Sequence, residues 1–283
     1  MTRVIVTRPL REGQAWLHAL QARGWDAHAL PLIDLDAAPD QAPLTSAWQA
    51  LQNTATSYQA LMFVSSAAVE GFWAARPDYA PSLLVNGDGN GTGSVRCWAT
   101  GPGTRRALLA AGVAPEHIDA PPTEAGQFDS EALWHVVSSG LRSDARVLIV
   151  RGDDALPGSA DVSGSLGAGT GTGAGRDWLA QQLRAAQVEV DFVVSYIRAL
   201  PTLSPAQLAL ARQAATDGSV WLFSSSQALQ NLRQILPGQD WSMARAVASH
   251  PRIEKAARQT GFGAVKLARP VLNELMASIE SFA

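Results

Sequence analysis

The 283-residue sequence has a single cysteine, Cys97, and no long apolar run. One cysteine cannot form an internal disulfide, which is typical of proteins in a reducing compartment. No apolar stretch approaches the roughly 20 residues that a transmembrane helix needs, and no apolar signal segment follows Met1. These absences indicate a soluble, cytoplasmic protein that has no membrane partner.

Charge is also scarce, because charged residues make up 17% of the chain and the formal net charge is −3. This balance offers no general attraction for nucleic acid. The five histidines show no metal-binding spacing. The Gly-rich segments Asn86–Ser94 and Gly158–Gly175 lack the Gly-Lys-Ser/Thr ending of a phosphate loop, and the serines form no Gly-x-Ser-x-Gly elbow. We interpret Gly158–Gly175 as a disordered surface loop, since it cannot bury enough apolar surface to become ordered.

The chain contains the same pattern twice. Leu61–Ser66 is an apolar run that ends in hydroxyl groups and precedes a helical pattern, and Trp221–Ser226 repeats it. Val95–Pro102 is a second strand that leads into a helix, and Ala244–Pro251 repeats that one. A duplicated βαβα unit predicts two similar α/β lobes with ligand binding in the cleft at their strand ends.

The segments in front of these units are duplicated as well. Arg3–Arg8 matches Arg146–Arg151, and each is followed by an amphipathic helix and an extended apolar segment, Ala27–Leu35 or Val188–Leu200. We call the segments that begin at Arg3–Arg8 and Arg146–Arg151 front units, and the βαβα units rear units. The chain therefore contains a front unit, a rear unit, a second front unit and a second rear unit. Either each front unit folds with the rear unit that follows it, or the first front unit folds with the last rear unit. The sequence alone leaves both pairings open.

Local patterns define further elements along the chain. We predict a linker at Pro39–Pro43, a strand at Val147–Val150 and a helix that ends at Val137 and is capped by Asp129. Together with the repeat, these patterns predict an α/β fold of two doubly wound parallel-sheet lobes, in which the two extended segments can pair as a two-stranded β link.

The order of these segments resembles the uroporphyrinogen-III synthase family over nearly the whole chain. The segments that carry the resemblance are Val4–Pro9, Leu30–Ile33, Phe63–Ser66, Ala99–Thr104, Leu148–Gly152, Arg176–Leu179 and Val193–Tyr196. The resemblance implies that the N-terminal strand belongs to the C-terminal lobe. Lobe 1 would then comprise 1–36 and 200–283, and lobe 2 would comprise 37–190, with crossings near 27–40 and 188–200.

The resemblance also implies an activity. Members of the family are cyclising lyases that act on hydroxymethylbilane, a linear tetrapyrrole with eight carboxylates. They remove water, close the macrocycle with ring D inverted, and form uroporphyrinogen III for haem and other tetrapyrroles. The family implies a monomer without cofactor or metal, and it is compatible with a transient hand-over of the substrate from the deaminase that makes it.

Tyr196 is our candidate for the catalytic group, because it lies in the second extended segment, where the resemblance implies a tyrosine in the cleft. A phenol is protonated at neutral pH and can donate to a departing hydroxyl group. The alternative is a tyrosine that only packs at a lobe junction.

The candidates for substrate carboxylates are arginines and hydroxyl residues at strand ends or helix starts. They are Arg8, Ser65, Ser66, Thr104, Arg151, Ser224, Ser225, Ser226 and Arg252. The alternatives are helix capping for the serines, structural ion pairs for Arg8 and Arg151, and a solvated position for Arg252. His250 and Ile253 depart from the family pattern, which often has glycine and threonine at these two places, so any hydroxyl role at Ile253 is lost.

Two other functions remain as alternatives. The first is a two-lobe cytosolic protein that binds or senses a small molecule, and the second is a nucleotide-dependent enzyme on a doubly wound fold. The missing phosphate fingerprint disfavours the nucleotide-dependent enzyme.

Overall fold

A computed structural model of the chain describes residues 2–52, 58–78, 95–122, 130–154, 174–269 and 271–282. The predicted capping residue Asp129, the segment Asn86–Ser94 and residues 158–173 of the second Gly-rich segment lie outside the described residues. The last two residues of that segment, 174 and 175, belong to a helix and not to the predicted loop.

Strands and helices alternate along most of the chain. The strands are β1 (Arg3–Val6), β2 (Asp26–Ala29), β3 (Asp34–Ala37), β4 (Ala60–Phe63), β5 (Arg96–Ala99), β6 (Ile118–Asp119), β7 (Arg146–Asp154), β8 (Glu189–Ala199), β9 (Val220–Phe223), β10 (Arg245–Ala248) and β11 (Ala264–Leu267). The helices are α1 (Leu10–Ala22), α2 (Ala42–Ala50), α3 (Ser66–Ala74), α4 (Pro102–Ala110), α5 (Ser130–Val137), α6 (Ala174–Ala185), α7 (Pro205–Ala214), α8 (Ser226–Ile235), α9 (Pro251–Thr260) and α10 (Leu272–Glu280).

Three segments differ from their predicted form. The predicted linker Pro39–Pro43 overlaps α2, because its second proline lies in the first helical turn, where a backbone N–H has no helical partner to lose. The predicted extended segment Ala27–Leu35 contains the end of β2 and the start of β3 as separate strands. The predicted strand Val147–Val150 is the middle of a longer β7, which continues to Asp154.

The chain divides into two units, one made of Met1–Leu35 with Ala199–Ala283 and the other of Asp36–Arg198. The first unit has a five-stranded sheet in the order β11-β10-β9-β1-β2, and its neighbouring strands are parallel. Counted in chain order within the unit, this is the doubly wound order 2-1-3-4-5, which reverses direction between β1 and β9.

The second unit has a six-stranded sheet in the order β3-β8-β7-β4-β5-β6. Its strands from β8 to β6 pair in parallel. Apart from β3, which lies next to β8 at the edge, the order is equivalent to that of the first sheet, with β7 in the place of β1 and β4 in the place of β9. This equivalence agrees with the repeat in the sequence, and the α/β fold class with parallel sheets is confirmed.

Helices cover both faces of the sheet in the first unit. Ile5, Trp221 and Phe223 pack on one face against buried residues of α7, α8 and α9. Val4 and Leu222 alternate with them along the strands and pack on the other face against α1 and α10. Removal of each such side chain from water stabilises the fold by about 1.5–3 kcal/mol. Burial on both faces accounts for the continuous apolar strands.

The second unit is covered in the same way. Met62 and Ile149 pack on one face against α5 and α6. On the other side, Trp48 of α2 stacks on Phe72 of α3 with 4.5 Å between the ring centroids. The Trp48 indole N–H also donates to the Phe72 carbonyl oxygen at 3.1 Å. The sequence analysis did not predict α2, although this helix supplies one of the largest buried side chains.

None of the helices in the described ranges combines the length and hydropathy needed to cross a bilayer.

Cys97 lies on β5 and has no exposed surface, and this burial raises the pKa of its thiol to about 12. In the unfolded chain the thiol has a pKa of about 8.5. The folded state therefore holds the proton more tightly, so this contribution to stability is present below pH 8.5 or so and is lost as the pH rises toward 12.

We predict that Cys97 of the native protein resists thiol reagents at pH 8, because its thiolate fraction is lower than in the unfolded chain by a factor of about a thousand. Labelling with a chromogenic disulfide should yield one thiol per chain in denaturant and almost none without it. Rapid stoichiometric labelling of the native protein would contradict the burial of this side chain.

Candidate functional site

The carboxyl ends of β4 and β7 meet in the second unit at the point where the helices change faces. α6, which precedes β8, packs on the face of Met62 and Ile149. α3, which follows β4, packs its Phe72 ring against Phe63 at 5.7 Å and against Trp48. Such a switch point leaves a crevice at the carboxyl edge of a parallel sheet, where α/β proteins bind ligands.

A β-bulge positions Tyr196 at this edge. The register between β7 and β8 pairs Arg151 with Val194 and then Gly152 with Tyr196, so that Ser195 is the additional residue of β8. A bulge of this kind bends a strand and redirects its side chains. The Ser195 hydroxyl is buried and donates to the Ala68 carbonyl oxygen of α3 at 3.1 Å.

Two glycines allow the close approach that the bulge requires. A Cβ atom on Gly71 of α3 would lie 2.4 Å from the Ser195 carbonyl oxygen. A Cβ atom on Gly152 would lie 2.2 Å from Cζ of the Tyr196 ring. Both distances are shorter than any real contact of a Cβ atom. Larger residues at these places would therefore displace α3 or the tyrosine ring.

The Tyr196 hydroxyl has two polar partners within the second unit. Its oxygen lies 3.2 Å from Ser65 Oγ and accepts a hydrogen bond from Arg198 Nη2 at 2.9 Å. Ser65 also caps α3, because its Oγ accepts from the Ala68 N–H at 3.1 Å. Tyr196 is 5% exposed, so its hydroxyl bonds mainly to protein groups. The structure thus brings together Tyr196 and Ser65, two of the predicted site residues.

The sequence analysis missed Arg198 and Asp154, which lie beside the tyrosine. Arg198 Cζ lies 5.3 Å from the centroid of the Tyr196 ring, and Arg198 Nη1 lies 3.5 Å from Asp154 Oδ1. The available signal was spacing, because residues two apart on a strand point to the same face. Arg198 follows Tyr196 at that spacing on β8.

Arg151 lies within β7 and not at the end of a strand as predicted, because β7 continues for three more residues. Its guanidinium carbon lies 5.4 Å from the centroid of the Phe192 ring. Its Nε is buried and has no hydrogen-bond partner, and no carboxylate among the described residues forms an ion pair with it. Among the described residues, the charge of this arginine is therefore not offset by a carboxylate.

Arg8, the repeat equivalent of Arg151, is in a different electrostatic environment. Arg8 Nη2 donates to Glu12 Oε2 at 2.9 Å, and Arg8 Cζ lies 4.8 Å from the centroid of the Trp16 ring. Glu12 thus offsets the positive charge of Arg8, whereas no carboxylate among the described residues offsets that of Arg151. The structure supports the alternative that Arg8 forms a structural ion pair.

The remaining serines lie at helix starts. Ser66 is the first residue of α3, and Ser226 is the first residue of α8. Ser225 caps α8, because its Oγ accepts from the Gln227 N–H at 3.1 Å, and Ser224 precedes it directly after β9. Capping thus occupies Ser65 and Ser225, whereas the buried Ser226 hydroxyl has no partner within the described residues.

Thr104 and Ile253 occupy equivalent places in α4 and α9. Thr104 is 5% exposed, and Ile253 is 4% exposed and packs into the core of the first unit, which explains why an apolar side chain fits there. His250 caps α9 in place of a glycine, because its Nδ1 accepts from the Arg252 N–H at 3.1 Å. The Arg252 side chain is exposed.

Within the described ranges, no group of three or more His, Cys, Asp or Glu side chains is arranged to hold a metal ion. The candidate side chains of the second unit include the phenol of Tyr196, the hydroxyl of Ser65 and the guanidinium groups of Arg151 and Arg198.

Comparisons with known proteins agree with the resemblance seen in the sequence. The family model described as uroporphyrinogen-III synthase HemD matches residues 14–167, more than half of the chain. The crystal structure of uroporphyrinogen-III synthetase from Helicobacter pylori aligns with a TM-score of 0.58 and 14% identity over 100% of both chains. A mutant uroporphyrinogen III synthase from the extremely thermophilic bacterium Thermus thermophilus aligns with a TM-score of 0.48 and 15% identity over 100% of this chain and 98% of that one.

The Helicobacter pylori structure shows that the fold is shared. The family match covers β4, β5, β6 and β7. It therefore includes four of the candidate residues, Ser65, Ser66, Thr104 and Arg151. The chain belongs to the uroporphyrinogen-III synthase family, the cyclising lyases of tetrapyrrole biosynthesis.

Proposed function

We propose that this chain converts hydroxymethylbilane into uroporphyrinogen III and water, with ring D inverted through a spiro intermediate. The observation that carries the proposal is the Tyr196 phenol, held at the carboxyl edge of a parallel sheet by hydrogen bonds with Ser65 and Arg198. A phenol placed there can assist the loss of the hydroxyl group, the first step that this substrate requires.

The proposed reaction begins with a proton transfer from Tyr196. The phenol gives its proton to the hydroxyl oxygen of ring A as the C–O bond breaks, so that water leaves and a delocalised azafulvene cation remains. Ring D attacks this cation through its substituted carbon and forms the spiro intermediate. The bond from that carbon to the methylene of ring C then breaks, which leaves an azafulvene cation on ring C, and the other ring D carbon attacks this cation and closes the macrocycle. That carbon then loses a proton, which restores the phenol.

The enzyme must favour one closure over another, because hydroxymethylbilane closes unaided to the uninverted isomer. Much of the catalysis is therefore positioning of the reacting rings. We propose that the substrate carboxylates are bound by Arg151 and by the helix starts at Ser65, Ser66 and Thr104. In the first unit, Ser224, Ser225, Ser226 and the exposed Arg252 are the corresponding candidates.

Arg8 and Arg151 differ in what they offer to a carboxylate. The charge of Arg8 is already offset by Glu12, whereas no carboxylate among the described residues forms an ion pair with Arg151. The Nε atom is buried without a hydrogen-bond partner in both arginines, so it does not distinguish them. We therefore propose that Arg151 contributes more to substrate binding than Arg8 does.

We also propose that the protein is a cytoplasmic monomer that receives hydroxymethylbilane in a transient hand-over from the deaminase. A shorter passage of the substrate between the two enzymes leaves less time for its spontaneous closure.

Isomer analysis tests the overall reaction. Porphobilinogen and the deaminase are supplied with this protein, and the oxidised products are separated by chromatography. We expect a predominance of the type III isomer. A product that is type I only, at the level of a reaction without the protein, would favour the alternative of a two-lobe protein that binds or senses a small molecule.

We predict that Tyr196→Phe lowers the rate of type III formation by roughly 100-fold without abolishing it, because assistance to water loss disappears while positioning remains. The measurement is the initial rate with freshly prepared hydroxymethylbilane, after subtraction of the spontaneous type I product. A rate equal to that of the wild type would exclude Tyr196 as the proton donor.

We predict that Arg151→Met raises KM about 10-fold or more, because a charge-assisted hydrogen bond to a substrate carboxylate is lost. Arg8→Met, the matched variant at the equivalent place in the repeat, should raise KM about twofold at most. Initial rates over a range of substrate concentrations measure both effects. Equal increases in the two variants would show that the Glu12 pair does not distinguish them.

A further inference from the structure

Arg198 makes two contacts with Tyr196 and one with Asp154, and together they hold its guanidinium beside the phenol. Its Nη2 donates to the phenol oxygen at 2.9 Å, its guanidinium carbon lies 5.3 Å from the ring centroid, and its Nη1 lies 3.5 Å from Asp154 Oδ1. Arg198 itself is partly buried. Among the described residues, no other side chain except Ser65 forms a hydrogen bond with this hydroxyl.

We propose that Arg198 is a positioning residue for Tyr196: its guanidinium fixes the phenol oxygen and stabilises the negative charge that develops there as the proton leaves. The inference rests on the donor role proposed above for Tyr196. It adds a residue that acts through the phenol and not on the substrate, and it assigns Asp154 to hold that residue in place.

The direction of the hydrogen bond supports this role. A guanidinium has donors only, so the bond from Arg198 must use a lone pair of the phenol oxygen. The hydrogen of the phenol is then free for another acceptor, either Ser65 Oγ or the departing hydroxyl group of the substrate. Ser65 Oγ already accepts from the Ala68 N–H and keeps its own hydrogen to donate to the phenol oxygen.

The strength of the same bond changes during the reaction. Before proton transfer it joins a cation to a neutral oxygen, and after the transfer it joins a cation to a phenolate. A cation and an anion attract each other by a Coulomb energy that a cation and a neutral oxygen lack, so this bond strengthens as negative charge develops on the phenol oxygen. The bond is therefore stronger in the transition state than in the ground state, which is the condition for an effect on kcat.

The strand register explains why these residues meet. Beyond the bulge, Gly152 pairs with Tyr196 and Asp154 pairs with Arg198, so all four lie on one face of the two strands. Gly152 leaves the space that the tyrosine ring occupies. Without the additional residue Ser195, the register would shift by one place and the opposite face would carry these side chains.

A double-mutant cycle tests whether Arg198 acts through the phenol. We expect Arg198→Met to lower kcat about 10-fold with KM changed less than about twofold, because a charge-assisted hydrogen bond of this kind contributes that factor. In the Tyr196→Phe background, the same substitution should change kcat less than about twofold, since its target is already absent. Arg198→Lys should recover part of the loss, because an ammonium group can still donate.

Arg146→Met provides the matched control. Arg146 Cζ lies 5.0 Å from the centroid of the Tyr58 ring, and its Nη2 donates to Asp191 at 2.7 Å, so a similar cluster exists at the other end of the same two strands. This variant should lower the midpoint of thermal unfolding and leave kcat unchanged at a temperature where it is folded. An equal loss of kcat in Arg146→Met would assign the effect of Arg198 to general stability.

Other outcomes would overturn the inference in distinguishable ways. A rise in KM in Arg198→Met that persists in the Tyr196→Phe background would make Arg198 a ligand of a substrate carboxylate. A wild-type kcat in Arg198→Met, with Tyr196→Phe slowed, would refute the role of Arg198 and leave the proposed function intact. A wild-type rate in Tyr196→Phe would refute the proton donor, and with it the role of Arg198.

Discussion

The position of the Tyr196 ring against the backbone of Gly152 is the constraint on which the described site depends. The ring fits only because Gly152 has no side chain, and it faces Gly152 only because Ser195 adds one residue to β8. The added residue is held by its hydroxyl on α3, which comes close enough through Gly71. A strand irregularity, two glycines and one buried hydroxyl thus place a phenol at the edge of a sheet that otherwise follows regular parallel pairing.

The two units share their strand order but not their chemistry. In the first unit, β2 is a strand of four residues, whereas its counterpart β8 has eleven residues and includes the bulge. Arg8 has a carboxylate partner that Arg151 lacks among the described residues, and Ile253 fills core space where Thr104 has a hydroxyl. The duplication therefore gives two units with similar strand order. Differences at single residues, together with the bulge in β8, place the candidate proton donor Tyr196 in the second unit.

Much of the fold could be predicted because parallel strands buried on both faces leave continuous apolar runs, and the repeat of such runs at Leu61–Ser66 and Trp221–Ser226 is visible without a structure. The helix α2 was missed because Pro43 resembles a linker residue, although proline is well tolerated in a first helical turn. In the site, Tyr196 and Ser65 were predicted and do meet. Arg198 was not predicted, because its two-residue spacing from Tyr196 indicates a shared face of the strand but not a hydrogen bond to the phenol.

The amino-acid sequence by itself determined the α/β class, the duplication and the family, because these depend on the order of apolar and polar residues along the chain. It left open which front unit folds with which rear unit, and the hydrogen-bonded strand order places β1 and β2 with β9, β10 and β11. Only the tertiary structure decided that Arg198 bonds to the Tyr196 hydroxyl and that Glu12 offsets Arg8. The physical reason is that such contacts depend on strand register and side-chain direction, and one additional residue in β8 reverses the face to which every later side chain points.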